Sequence, residues 1–131
     1  MSKPKGLISA AEAKTLNDAY TKRCTLISNN ITKRPDNRSS WYSLEDIKSF
    51  IQHAEKQAKE LKYDLNGFRV YCGAYPDKEG VEGYSTSFIV PTTSGKTGEA
   101  ADGNGDGHDL PGADGLNKGH SGVPPNANYP Q

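Results

Sequence analysis

The chain has 131 residues, 33 % of them apolar, and a mean hydropathy of −0.81, which suits one modest domain with an appendage. Sixteen basic and sixteen acidic residues cancel, so composition gives no expectation of nucleic acid or an anionic membrane as partner. No apolar run reaches the length of a membrane span or a signal sequence, and a soluble cytoplasmic protein is the expectation.

The averages hide a division. Residues 1–91 carry most of the large apolar side chains, with 14 basic and 11 acidic residues for a charge of +3. Residues 92–131 hold nine of the fourteen glycines and a charge of −3, and Leu110, Leu116 and Val123 are their only large aliphatic side chains. The expected organisation is therefore an α+β body over 1–91 and an extended or flexible arm over 92–131.

In chain order, the first helix begins at SAAE, where Ser9 and Glu12 stand at capping-box spacing. Ala13, Leu16, Tyr20, Cys24, Ile27 and Ile31 then form one apolar stripe, and the helix ends near Asn29, Asn30 and Pro35. A second helix is capped by Ser43, with Asp46 in its third position. Its stripe is Leu44, Ile47, Ile51, Ala54, Ala58 and Leu61, widened by Phe50. The short connection predicts an antiparallel helix pair.

The period then changes to two. In GFRVYCGAYP, Phe68, Val70, Cys72 and Ala74 face one way, and Arg69, Tyr71 and Tyr75 the other. After DKEGVEG, the stretch YSTSFIVP reads as a second strand, completing an α-α-β-β order. The expectation is a hairpin packed on two helices, with Cys24 and Cys72 as buried free thiols. Two strands alone leave both edges open, and a face carrying Tyr71, Tyr75, Ile89 and Arg69 under-covered. Completion of this sheet by protein, from the same chain or another, is expected.

Motifs for chemistry are sparse. SGKTG at 94–98 lacks the earlier glycine and the following helix of a phosphate loop, and reads as a turn leaving a strand. Arg34, Arg38 and Trp41, near the start of the second helix, are candidates for holding a small anion or nucleotide, as are Arg69, Tyr71 and Tyr75 on the hairpin. In DGNGDG, Asp102, Asn104 and Asp106 take the first, third and fifth places of a calcium loop and Gly107 the sixth, resembling EF-hand and dockerin-type loops. The twelfth place is Ala113, where such loops need a carboxylate, so a plain Gly/Asp turn competes with Ca²⁺ binding. His108 and Asp109 join that candidate metal set. In the arm, Val123, Pro124, Pro125 and Tyr129 are candidate anchors for a partner.

SAAEAKTLNDAY, DNRSSWYSLEDIKSFI, GFRVYCGAYP and YSTSFIVPT, with the PPNANYP ending, together resemble a family of small bacterial hypothetical proteins. That resemblance implies no activity and transfers no site residues. From the residues, the expected function is non-enzymatic: a protein-interaction or self-assembly module using the hairpin face and the arm. Its alternatives are an anionic-ligand module and a calcium-dependent binder, and no cofactor other than Ca²⁺ is suggested.

Overall fold

The first helix, α1 (Ala10–Asn30), starts where its capping box places it. The Ser9 hydroxyl accepts from the Glu12 N–H at 3.1 Å, and the Glu12 carboxylate accepts from the Ser9 N–H at 3.0 Å. The computed structural model describes residues 3–99, 107–117 and the backbone of 120–121. A two-residue strand β1 (Ser40–Trp41) precedes the second helix, α2 (Leu44–Leu61), which is capped by Ser43 Oγ accepting from the Asp46 N–H at 2.9 Å. Lys62 closes α2 in the left-handed conformation (φ 63°, ψ 43°), and the chain passes directly into β2 (Tyr63–Ala74).

The hairpin reaches further than the sequence pattern suggests. β3 (Ser85–Lys96) runs antiparallel to β2 and five residues past position 91, so the boundary expected there falls inside a strand. Beyond the ladder, Lys78 and Val81 exchange both backbone hydrogen bonds around Glu79 and Gly80, which have φ of 53° and 77°. Two successive positive φ values match the twist of the flanking strands.

The two-stranded sheet expected from the sequence has a third member. β4 (His108–Asp109) pairs antiparallel with Thr92 and Thr93, and Leu116 exchanges two backbone hydrogen bonds with Ile89. Part of the glycine-rich stretch thus completes β3 from within the same chain, giving an antiparallel sheet of order β2-β3-β4 in an α+β fold. A further short strand, β5 (His120–Ser121), pairs antiparallel with β1.

Register decides the faces. Val70 stands opposite Ile89 and Phe68 opposite Pro91, on the side where the Phe50 ring of α2 meets Phe68 at 5.7 Å. Tyr71 stands opposite Phe88 on the other side, their rings stacked at 5.2 Å. Ile89 therefore lies on the helix-covered face and not on the open one. Cys72 also departs from expectation, being exposed although its strand parity is that of Phe68. The cover provided by α2 fades along β2 beyond Phe68, so parity with the core does not bring burial.

Among the described residues Cys24, Phe50, Ala54, Ala58, Pro91 and Leu110 are buried apolar side chains. A buried set of nearly the same size is polar: Thr32, Asp36, Asn37, Thr92 and Thr93. A core of that composition relies on directed hydrogen bonds as much as on apolar burial.

Candidate functional site

The outer edge of β3 is closed in two halves by segments remote from it in sequence. The half at Ile89–Thr93 is covered by residues 107–117, and the half at Ser85–Ser87 by residues 36–42. Asp36 is fully buried and accepts from Ser85 twice, from its N–H at 2.7 Å and from its hydroxyl. Asn37 donates to the Ser85 carbonyl at 3.2 Å, and the Tyr42 hydroxyl donates to the Ser87 carbonyl at 3.2 Å. The Ser28 hydroxyl takes the Asp36 N–H at 2.9 Å, tying α1 to the same loop.

Arg34 and Arg38 belong to this bracing and point to different places. Arg34 donates to the carbonyls of Thr32 (3.0 Å) and Glu82 (2.6 Å), and its guanidinium lies 4.0 Å over the Tyr84 ring. Arg38 donates to the Asn17 carbonyl (2.8 Å) and to the Thr21 hydroxyl (3.2 Å) on α1. The two guanidinium groups do not converge on a common point, and Trp41 is 60 % exposed. The fork of an arginine suits carbonyl pairs as well as anions, which is why the residue type alone misdirects.

The structure does bring Arg69, Tyr71 and Tyr75 to one surface, where they hold the chain's own segment. Arg69 meets Asp109 at 3.3 Å, the Tyr71 hydroxyl donates to the same carboxylate, and the Tyr75 hydroxyl donates to Asn117 at 3.2 Å. The Tyr71 phenol is raised above its usual range, chiefly because it donates to Asp109 and secondarily through burial and the negative charge of that carboxylate. Arg69 works in the opposite direction. On the helix side the same segment is clamped by Asp114, whose carboxylate lies 2.9 Å from His53 and whose N–H donates to Gln57 at 2.8 Å.

Of the candidate metal residues, Asp109 is engaged by Arg69 and Tyr71, and His108 lies beside it on β4. Asp102, Asn104 and Asp106 lie outside the described residues, as do Val123, Pro124, Pro125 and Tyr129. Among the described residues no three His, Cys, Asp or Glu side chains gather as a metal site would need. Gly107 has a different reason to be glycine. Its φ is 75°, and a Cβ there would fall 2.8 Å from the Thr93 carbonyl oxygen and 2.6 Å from the Asn66 amide.

No family model matches the chain, and no curated protein or solved structure does either. Among the described residues no helix is long and apolar enough to cross a membrane.

Two features are left without a function in the fold. One is the outer edge of β2, which has a single strand neighbour, β3, among the described residues. Phe68 and Val70 flank that edge on the α2 side, and Val70 is 66 % exposed. The other is a cavity of about 450 Å³ between α1 and the hairpin. Tyr20 and Ile27 line one wall, Cys72 and Ser87 another, and Arg38 and Ser40 contribute from the loop. Asp36, Ser85, Asn117 and Asp114 matter most to this arrangement, and no sequence motif marks them. Only Leu110 and Leu116, isolated aliphatics in a glycine-rich stretch, signal that this stretch packs on something.

Proposed function

We propose that this chain is a non-enzymatic interaction module that assembles with a second copy of itself through the outer edge of β2. The observation that carries the reading is that twelve-residue strand with one neighbour among the described residues, bordered by exposed Phe68 and Val70. An unpaired strand presents a row of N–H and C=O groups that a second strand satisfies. β2 contains neither proline nor lysine, the usual means of blocking such an edge, and its register irregularities are confined to Asp64–Gly67. Two identical edges pairing about a two-fold axis close the assembly and leave no further edge of this kind. The small apolar core is consistent with a fold that gains stability from a neighbour. The finer arrangement, an antiparallel helix pair behind the hairpin with residues beyond it as a contacting arm, is part of the same proposal.

Light scattering coupled to size-exclusion chromatography tests it. The expected result is a dimer that dissociates in the Val70→Lys variant, whose circular dichroism stays that of the parent. A monomer at every concentration up to the millimolar range would sink the reading.

A further inference from the structure

The cavity of about 450 Å³ between α1 and the hairpin is kept open by the residues that border it. On the sheet side it is bordered by Cys72 and Ser87, opposite one another in register, with Ser85 two places earlier on the same face. Side chains this small leave space where larger ones would meet the helix. On the helix side are Tyr20 and Ile27, two turns apart on one face of α1. The loop at 36–40 spaces the two sides, bonded to α1 through Ser28 and Asn17 and to β3 through Ser85 and Ser87. Close-packed interiors leave few voids larger than a water molecule, and this one has the volume of a small-molecule site. It is also reachable, since Cys72 lines it and is exposed.

Charge narrows what fits there. Arg38 is the one charged residue among the described residues lining the cavity. Its bonds to Asn17 and Thr21 use three of its five N–H groups and fix the guanidinium 5.5 Å from the centre of the Tyr20 ring. The other two N–H groups have no acceptor among the described residues. Of the carboxylates around it, Asp36 is taken by Ser85 and Asp18 by Lys14. A guanidinium held in place with donors to spare is a receptor for one negative charge. The Tyr20 phenol is raised above its usual range, chiefly by burial and then by Cys24, Asp36 and Cys72, with Arg38 opposing. That wall is therefore desolvated, which strengthens a charge-assisted hydrogen bond formed beside it.

We propose that this cavity binds a small monocarboxylate, with its carboxylate on Arg38 and its apolar body between Tyr20 and Cys72. A phosphate dianion calls for a second cation, and none of the described lining residues supplies one. A neutral molecule leaves the spare guanidinium donors without a charged acceptor. The inference does not require the pairing of β2, and its readout is separate from oligomeric state.

Proton–nitrogen NMR of the full chain tests it. The probes are benzoate, phenylacetate and hexanoate, with benzamide as the uncharged counterpart and inorganic phosphate as a charge without a body. The expected result is saturable shifts at the backbone amides of Arg38, Ser39, Cys72 and Gly73 with at least one carboxylate. Benzamide should bind at least about tenfold more weakly, and phosphate should give no saturable shift there. Arg38→Gln should weaken carboxylate binding at least about tenfold. Cys72→Phe fills the cavity from an exposed position and leaves every bond of Arg38 in place. It should abolish binding while its circular dichroism stays that of the parent, which keeps the test decisive if Arg38→Gln does not fold. The proposal is overturned by any of three results: no saturable shift with the three carboxylates, equal affinity for benzamide, or unchanged binding in Cys72→Phe.

Discussion

Asp36 and Ser85, 49 positions apart, form a two-point hydrogen-bonded contact in which one buried carboxylate takes both donors of one serine. The contact starts the β3 edge and simultaneously anchors the loop that carries α1. Asp36→Ala leaves the Ser85 N–H unsatisfied in a buried place and should cost about 3 kcal/mol of stability. Asp36→Asn retains one acceptor and should cost about half as much. Urea unfolding of the two variants checks the order, and an Asp36→Ala variant within error of the parent would show that the contact is dispensable.

The two helix caps should behave differently although their geometry is similar. Ser43→Ala removes the acceptor for the Asp46 N–H from a helix packed on the sheet, so about 1 kcal/mol should be lost from global stability. Ser9→Ala acts on the end of α1, around which Leu7, Ile8 and Leu16 are exposed. Its loss should appear as faster amide exchange over the first turns, with little change in the unfolding midpoint.

The phenol of Tyr71 gives a pH signature. Its pKa is raised in the folded chain above the ordinary value of 10.0, first by its hydrogen bond to Asp109. The folded state therefore holds the proton more tightly than the unfolded one. The associated stability is fully present below about pH 10, the unfolded value, and is lost as pH rises through the higher folded value. Tyr20 is raised as well, chiefly by burial. Ultraviolet titration should therefore show both tyrosines ionising late, and Tyr71→Phe should remove only Tyr71's share of that phase. Asp109→Asn should bring the Tyr71 phenol back toward the ordinary range.

Gly107 separates packing from metal chemistry. Gly107→Ala puts a methyl group against the Thr93 carbonyl and demands an unfavourable φ, and it should destabilise the protein by about 2–3 kcal/mol. Because the clash is with β3, the cost should be equal in calcium and in chelator when unfolding is measured in both. A cost present only with calcium would return the glycine to the role a cation loop gives it.

The features legible in the sequence are local. Ser9 with Glu12 and Ser43 with Asp46 mark their helices because caps act within four residues. The alternation from Phe68 to Tyr75 marks a strand because side chains of a strand alternate by sterics alone. Parity cannot say how far α2 covers the sheet, so it points Cys72 toward a core that the residue stands outside. Nor can parity fix register, which places Ile89 beside Val70. The third strand escapes notice because β4 contributes two residues and its neighbours carry no periodic apolar pattern. Its attachment depends on Asp109, Asp114 and Asn117 reaching side chains about 30 to 60 positions earlier, as with Asn117 to Thr86, 31 apart, and Asp114 to His53, 61 apart. Arg34 and Arg38 are legible as charged and near a helix start, while their carbonyl partners are not.

The division of the β3 edge between residues 36–42 and 107–117 also sets an order of events during synthesis. The loop that closes the first half is already made when β3 emerges, whereas the segment that closes the second half comes after it. Between those moments the hairpin has bare edges on both sides at Ile89–Thr93, where strand-to-strand association between nascent chains is fastest to go wrong. A chain stopped just after Lys96 would keep that condition permanently, and should collect in the insoluble fraction while the full chain does not.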